Sequence, residues 1–443
     1  MISKNKFVLV VILAISCLFL QPVFIAHASV IAQFKGVEFL TPLNSAPEKD
    51  MFTYKDQTNL TGKIIYDVLT LSPAKKYVVV RTIKNGKQTA AISLPVQTSR
   101  SLLGIKMSPN GQYILIKIGI MGDDYDQYTI YFWNLKTQTV TAGPTDLTYY
   151  RVVWSPDSAY IAYCQGGDVN GNEYGVGGTY TPLKLFTYNI LSQKQTFVAL
   201  GQTLSYFSWT GENSLLMSLP ESYPVNTPKT FDEGSMKRPQ LLNIYEATAK
   251  SGNLRQIIDG GFHGVASPDG NYIVYLAHAN HQNANEGESE TKKSPTYPYL
   301  SIFDIKNKTI QVIPGIHTDL YDLRWTRDSK KLVLSRYSYL NANGTLDVSI
   351  INIQNLLETK LAKISVQDSE PTYRNEFQPQ FRVLTVAQDY SHLLVQAQQF
   401  GKSLGNHYYQ IPYSLDAISL SSGTVATLCT TEHISTYDWH TSG

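Results

Sequence analysis

Trp154-Ser155-Pro156-Asp157-Ser158 is followed by Tyr160-Ile161-Ala162-Tyr163, and Ala266-Ser267-Pro268-Asp269-Gly270 is followed by Tyr272-Ile273-Val274-Tyr275. In both stretches the proline fixes φ for the second position of a type I turn. The aspartate suits the third position, and serine or glycine takes the conformation that returns the chain. β-Branched and aromatic residues on both sides favour strands over helices. Each stretch therefore predicts a β-hairpin closed by a tight turn.

The same hairpin recurs along the chain. Met107-Ser108-Pro109-Asn110-Gly111 and Leu71-Ser72-Pro73 are close copies, and looser copies contain Trp209, Trp325 and Val386. The serine position of each copy falls at 72, 108, 155, 210, 267, 326 and 387, so successive copies lie 36 to 61 residues apart. Each interval holds two further strand-like runs. The sequence therefore repeats a unit of four strands.

Four strands per unit at this period are typical of the blades of a β-propeller. No long apolar stripe has the 3.6-residue period of a helix, so helices are expected to be minor. We predict an all-β fold in which residues 29–443 form a single β-propeller domain of four-stranded blades.

The two chain ends determine the predicted number of blades. The C-terminal run 434–439 resembles an inner strand without a hairpin partner, and the N-terminal runs 37–40 and 51–54 lack an inner strand. Joining the ends closes the ring and removes its exposed edges, which predicts eight blades. Seven blades with accessory ends are the alternative.

The turn and its flanking strands resemble the TolB-type propeller repeat, a relative of WD-like repeats. They also resemble the propeller domains of prolyl oligopeptidase-like enzymes. The resemblance covers the chain from about residue 30 to the end. It implies the fold but no particular function, because this repeat hosts many roles. Trp154, Trp209 and Trp325 are expected to pack between blades.

The first 28 residues are typical of a secretory signal peptide. Lys4 and Lys6 precede the apolar run 7–20, and Ala26-His27-Ala28 forms a cleavage site. We expect a mature protein that is secreted, periplasmic or part of the cell envelope, with no later transmembrane segment; a retained anchor is the alternative. Without the two lysines, 35 basic residues face 35 acidic ones. This balance argues against nucleic acid as a partner.

The repeats lengthen mainly between the second and third strands of each unit. Antiparallel strands place these connections on one face of a propeller and the tight turns on the other, so the long loops indicate a binding face. Tyrosine offers a large contact area at low entropy cost. The candidate ligand-contacting residues are Tyr125, Tyr174, Tyr180, Tyr223, Tyr297 and Tyr337. We expect the partner to be a protein, a peptide or a glycan at the cell envelope.

Two segments invite a chemical interpretation. Asp168, Asn170 and Asn172 place oxygen side chains at alternate positions, as calcium-binding loops do, but the run lacks the full pattern of such a loop and an ordinary polar turn is favoured. No other cofactor is expected. The run 401–405 matches the nucleophile elbow of hydrolases, but that motif needs a strand-to-helix turn, so a glycine-rich loop is favoured.

The leading hypothesis is thus a binding module without assigned catalytic residues. The alternative is a propeller hydrolase or lyase with a metal-assisted site on the axis. That alternative requires acidic and histidine side chains from several blades to converge there.

Overall fold

A computed structural model describes residues 29–34, 36–46, 53–54, 61–71, 74–85, 87–120, 127–145, 147, 152–165, 183–201, 207–220, 242–277, 299–317, 322–326, 328–340, 343–367, 381–386, 392–398, 402–405, 408–410, 413–431 and 437–440. No helix occurs in these ranges, so none of them contains a helix able to span a membrane. The expectation that helices are minor holds for this part of the chain.

The strands, in chain order, are as follows. The N-terminal third contains β1 (Val30–Phe34), β2 (Val37–Leu40), β3 (Thr53–Tyr54), β4 (Gly62–Leu71), β5 (Ala74–Lys84), β6 (Lys87–Thr98), β7 (Ser101–Met107), β8 (Tyr113–Ile120), β9 (Gln127–Asn134) and β10 (Thr139–Ala142). The middle contains β11 (Val152–Trp154), β12 (Tyr160–Gln165), β13 (Leu183–Asn189), β14 (Gln195–Gly201), β15 (Phe207–Trp209), β16 (Ser214–Pro220), β17 (Leu242–Thr248), β18 (Leu254–Ile258), β19 (Gly261–Ala266), β20 (Tyr272–Ala277), β21 (Tyr299–Asp304) and β22 (Thr309–His317). The C-terminal third contains β23 (Asp322–Trp325), β24 (Lys331–Leu340), β25 (Asn343–Asn352), β26 (Glu358–Gln367), β27 (Phe381–Val386), β28 (His392–Gln398), β29 (Lys402–Gly405), β30 (Tyr408–Gln410), β31 (Tyr413–Ser419), β32 (Val425–Thr431) and β33 (Tyr437–His440).

The described strands form seven antiparallel sheets of at least four strands, which we number as blades. From the innermost strand outward, blades 1 to 5 are β7–β10, β11–β14, β15–β18, β19–β22 and β23–β26. Blade 6 is β27, β28, β31 and β32 with β3 on its outer edge, and β29 pairs with β30 in a separate hairpin. Blade 7 is β33, β4, β5 and β6 with β2 and β1 added outside. The predicted propeller of four-stranded blades is confirmed.

Apolar side chains join each blade to the next. Seven buried clusters occur among the described residues, one between each pair of neighbouring blades, including one between blade 7 and blade 1. Alternation along each strand sends successive side chains to opposite faces of the sheet, so both faces of a blade are apolar. Seven interfaces for seven sheets define a closed ring.

The prediction of eight blades is wrong, and the reason lies in the first hairpin. The C-terminal strand β33 pairs with β4, as in Tyr437 opposite Tyr66, so the two chain ends do share one blade. The hairpin between β4 and β5, where Leu71 pairs with Ala74, therefore joins the second and third strands of that blade. Its Ser72-Pro73 sequence resembles the turn between the first and second strands of the other blades. The sequence prediction therefore counted blade 7 twice, once from this hairpin and once from the paired chain ends.

Side-chain hydrogen bonds close the turns between first and second strands. In the turn of blade 2, Ser155 Oγ donates to Asp157 Oδ1 at 2.5 Å and accepts from the amide of Tyr160 at 2.9 Å. Asp157 Oδ1 also accepts from the amide of Ala159 at 3.0 Å, and Ser158 has a φ of 62°. The sequence thus specifies both the hydrogen bonds and the left-handed residue that the turn requires.

These turns also contact one another across blades. Ser158 Oγ accepts a hydrogen bond of 3.0 Å from the amide of Asn110 in blade 1. Ser329 in blade 5 accepts an equivalent bond, also 3.0 Å, from the amide of Asp269 in blade 4. The fourth residue of the turn therefore has the left-handed conformation that its own hairpin needs and also hydrogen-bonds the turn of the preceding blade.

The three tryptophans pack between blades, as predicted. Each ends an inner strand and lies against a tyrosine of the preceding blade, as Trp325 does against Tyr272 with ring centroids 6.2 Å apart. Trp325 Nε1 donates to the carbonyl of Val265 at 3.0 Å, and Trp209 donates similarly to Val153. Trp154 Nε1 is buried without a hydrogen-bond partner in the described part of the chain.

Trp325→Phe and Trp154→Phe form a matched pair that isolates the inter-blade hydrogen bond. Both changes remove similar apolar area, but only Trp325→Phe deprives a part-buried carbonyl, that of Val265, of its indole donor. We expect Trp325→Phe to lower the free energy of unfolding by about 1–3 kcal/mol more than Trp154→Phe. Urea unfolding followed by fluorescence checks this difference, and equal losses in the two variants would contradict it.

Candidate binding face

Antiparallel pairing determines which connections emerge at which end of the blades. The turns between first and second strands, and those between third and fourth strands, lie at one end, which we call the turn face. Connections between second and third strands, and those from one blade to the next, lie at the other end, which we call the long-loop face. The Ser72-Pro73 hairpin of blade 7 belongs to the long-loop face.

The long insertions all follow strands that end at the long-loop face, as predicted. They join β8 to β9 (121–126), β12 to β13 (166–182), β16 to β17 (221–241), β20 to β21 (278–298) and β28 to β31 (399–412). Within the last of these, Lys402 pairs with Gln410 in the β29–β30 hairpin. Residues 402–405 form a strand paired with β30, so this run is not the loop that was expected, nor is it the strand-to-helix turn of a nucleophile elbow.

The turn face has a different construction. Its described connections between third and fourth strands are short, and in blades 1, 2, 4 and 5 an asparagine or aspartate side chain accepts hydrogen bonds from their backbone amides. Asn189 Oδ1 accepts from the amides of Leu191 at 3.1 Å and Ser192 at 2.8 Å, and Asp304 Oδ1 accepts from the amide of Asn307 at 2.8 Å. Variation in length is therefore concentrated on one face of the ring.

Most of the predicted ligand-contacting residues lie outside the described residues: Tyr125, Tyr174, Tyr180, Tyr223 and Tyr297. The candidate calcium ligands Asp168, Asn170 and Asn172 also lie outside them. Tyr337 lies on β24 opposite Leu346 of β25. In the described ranges, no three His, Cys, Asp or Glu side chains are close enough to hold a metal ion.

Tyr337 occupies a part of blade 5 that projects beyond the inner strand. β23 pairs with β24 only as far as Ser335, whereas β24 and β25 continue to the pair Leu340–Asn343. β26 follows β25 to Gln367, so the extension has three strands. The described structure therefore places Tyr337 on a projecting sheet at the long-loop face.

A strained residue lies on the innermost strand of blade 4, near the same face. His263 has a φ of 56°, and it belongs to a β-bulge in which His263 and Gly264 together oppose Tyr275. Gly261, two residues earlier, pairs with Ala277 at the root of the loop 278–298. A side chain at position 261 would clash, because its Cβ would lie 2.4 Å from the ring of Tyr275.

Polar groups of blade 3 hold this bulge in place. Ser218 Oγ accepts from the amide of His263 at 3.1 Å, and Ser208 Oγ donates to the carbonyl of Gly264 at 2.7 Å. The buried Asn243 accepts from the amide of Gly260 at 2.8 Å. A non-glycine residue in this conformation costs free energy and persists because its surroundings determine it.

The bulge escaped the sequence prediction. Its signal was present in Gly260-Gly261-Phe262-His263-Gly264, since glycine inside a strand marks a bulge or a close approach. The inner strand of the next blade, β23, carries the part-exposed Arg324. A histidine and an arginine from neighbouring blades thus lie on adjacent innermost strands.

One buried carboxyl lies away from both faces, between blades 5 and 6. Asp416 on β31 is almost fully buried, and it accepts hydrogen bonds from Ser414 Oγ at 2.9 Å and Thr427 Oγ1 at 2.7 Å. Burial raises its pKa above the ordinary value for aspartate, and the two hydrogen bonds oppose that rise. Ile418, two residues along the same strand, packs in the cluster between blades 5 and 6, so Asp416 faces blade 5.

Comparison with known proteins adds to the fold but not to the site. No model of a protein family matches the chain, and no curated protein matches it. Similar solved structures include TolB from Acinetobacter baumannii, with 12% identity over 88% of this chain and 82% of that one and a TM-score of 0.42. A prolyl endopeptidase structure has 11% identity over 87% of this chain and 50% of that one, with a TM-score of 0.50. An oligogalacturonate lyase in complex with manganese has 11% identity over 90% and 95% of the two chains and a TM-score of 0.43.

These identities are low, so the similarity concerns the fold alone. The described sheets and their seven interfaces define a seven-bladed β-propeller. TolB structures are thus among those to which this chain is similar.

Replacement of His263 by glycine or by alanine tests the bulge. Both variants lack the imidazole, but only glycine adopts a positive φ without steric cost. We expect His263→Gly to be more stable than His263→Ala by about 1 kcal/mol. Urea unfolding of the two purified variants measures the difference, and equal stability would show that residue 263 does not have the left-handed conformation.

Asp416→Asn is expected to raise stability at neutral pH. The folded-state pKa of Asp416 lies above its unfolded value, so the unfolded chain ionises first as pH rises, and stability falls until the folded carboxyl has also ionised. The free energy of unfolding then stays lower at higher pH, because the folded protein holds a buried, ionised carboxylate. Unfolding midpoints should therefore favour the variant at pH 8, and the advantage should shrink as pH falls below the ordinary aspartate value. A variant that loses stability most at high pH would contradict this sign.

Proposed function

We propose that this protein is an exported β-propeller that binds a protein, a peptide or a glycan through its long-loop face. The observation that carries the proposal is the difference between the two faces. One face consists of short, hydrogen-bonded turns, whereas the other carries the long connections of five blades. Loops held by a rigid scaffold are the usual location of binding residues, because they vary without disturbing the core.

Two described residues at this face support contact with a partner. Ile120 ends β8 at the root of the loop 121–126 and is 57% exposed. Tyr337 lies on the projecting sheet of blade 5. An exposed apolar side chain at the base of a loop and a tyrosine on the projecting sheet suit a ligand with both apolar and polar surface. Tyr125, Tyr174, Tyr180, Tyr223 and Tyr297 are proposed as further contacts.

The proposed location outside the cytoplasm rests on the N-terminal sequence. A basic start at Lys4 and Lys6, an apolar run and Ala26-His27-Ala28 are the parts of a secretory signal. The proposed partners are accordingly molecules of the cell envelope or its surroundings.

A second candidate function is catalysis at the axis, by a hydrolase or a lyase. The observation in its favour is His263, because strained residues in bulges on inner strands often aim a side chain at a ligand. Arg324 on the adjacent inner strand could neutralise an anionic substrate. Turnover of a defined oligosaccharide or peptide by the parent protein, lost in His263→Gly, would favour this candidate over simple binding.

The binding proposal is tested with matched variants on the two faces. Residues 29–443 are screened against a glycan array, a peptide library and proteins of a cell-envelope extract, and each bound species is then titrated. We expect Ile120→Ser and Tyr337→Ala to weaken binding at least tenfold, because each removes contact area from the proposed face.

Leu191→Ser and Leu357→Ser are the controls. Both leucines are exposed, at 80% and 63%, and both lie in connections on the turn face. They are expected to leave binding unchanged. If the turn-face variants lose the ligand while Ile120→Ser and Tyr337→Ala bind it normally, the binding surface lies on the turn face and the proposal is contradicted.

A further inference from the structure

The described parts of the segment 30–54, which are residues 30–34, 36–46 and 53–54, contact three blades of the ring rather than one. β1 and β2 add two strands outside blade 7, and β3 adds a strand outside blade 6. β1 also lies beside β10, the outermost strand of blade 1. This segment therefore lies across two interfaces between blades, the one between blades 6 and 7 and the one between blades 7 and 1.

The first attachment joins blade 7 to blade 1. Val37 pairs with Thr98 and Phe39 with Val96, so β2 continues the sheet of blade 7 beyond β6. Phe34 at the end of β1 packs against Tyr131 of blade 1, with ring centroids 5.1 Å apart. Phe39 is fully buried in the cluster between these two blades.

The segment then runs toward blade 6 across the outside of blade 7. Leu43 and Ser93 exchange two backbone hydrogen bonds of 2.8 and 2.9 Å, and Ser93 Oγ donates to the carbonyl of Ser45 at 2.7 Å. Ala46 packs against the apolar cluster between blades 6 and 7. The chain is thus held at the interface between these blades before it reaches blade 6.

The last attachment is to blade 6 itself. Thr53 pairs with Thr430 and Tyr54 with Cys429, so β3 extends the sheet beyond β32. Blades 6 and 7 are the last and the closing blade, and on the inner side the ring is completed by a strand of only four residues, β33. β33 and β4 lie far apart in the sequence, so their pair lacks the tight turn that joins the first and second strands of the other blades, and it opens more readily than those pairs do.

We propose that residues 30–54 form an outer belt that closes the propeller a second time. β33 joins blade 7 from the inside, and the belt ties blades 1, 7 and 6 together from the outside. Opening of the ring between blades 6 and 7 then requires release of both. The competing explanation is that β2 and β3 merely cover exposed sheet edges, each for its own blade.

Cysteine cross-linking tests the position of the belt. Directly paired residues of antiparallel strands have Cα atoms about 4.5–5.5 Å apart, which suits a disulfide. Tyr54→Cys is therefore expected to form a disulfide with the native Cys429 on mild oxidation. Thr53→Cys, whose partner in the register is Thr430, is the control that should not. Failure of Tyr54→Cys to cross-link would show that β3 does not lie on β32.

Cutting the belt tests its role. A protease recognition sequence inserted between residues 46 and 53 allows cleavage of the folded protein, and the uncut protein serves as the reference. After cleavage we expect backbone amides of β33 and β4 to exchange hydrogen at least tenfold faster, while those of β15 and β16 in blade 3 are unchanged.

The two results separate the possible failures. If the Tyr54→Cys disulfide forms but cleavage leaves exchange in β33 and β4 unchanged, the strands only cover edges and the belt proposal is wrong. If exchange rises equally in every blade, cleavage destabilises the whole protein and the specific closure of blades 6 and 7 is also contradicted.

Discussion

Contact between the apolar faces of neighbouring blades is the constraint on which the structure depends. A single four-stranded sheet with two apolar faces is unstable in water, and each blade acquires stability only from the blade on either side. In an open row the first and last blades would each expose one face. The cluster between blade 7 and blade 1, which includes Ile65, Trp133 and Phe39, removes that exposure. The ring must therefore close for the apolar faces of its first and last blades to be buried.

Polar groups set the register of this apolar ring. In blades 1, 2, 4 and 5 the serine or threonine that opens the turn accepts a hydrogen bond from an amide of its own hairpin. Ser158 and Ser329 also accept a hydrogen bond from an amide of the preceding blade. Tryptophan indoles make the corresponding bonds from inner strand to inner strand. Because these bonds are directional, they fix how one blade sits on the next, which area burial alone does not. The hydrogen bonds of Ser158 and Ser329 thus join neighbouring turns on the turn face, whereas the longest connections follow strands that end at the opposite face.

The sequence predicted the parts of the fold that have a local cause. Proline-containing turns and strands of alternating pattern are visible in a few residues, and so were the hairpins around Ser155 and Ser267. The number of blades, in contrast, depends on strands that lie far apart in the sequence. Ser72-Pro73 has the turn sequence but joins second and third strands, and only the pairing of Tyr437 with Tyr66 shows this. The site was predicted less well than the fold, since a bulge such as that at His263 depends on Ser218 and Asn243 of another blade.

The central claim is a seven-bladed ring in which the C-terminal strand is the innermost strand of the blade built from the N-terminal strands. A crystal structure of residues 29–443 tests it most directly. We expect seven sheets around the axis, with Trp439 opposite Ile64 in the inner strand pair of the closing blade. An eighth sheet, or a C-terminal strand separate from Gly62–Leu71, would contradict it.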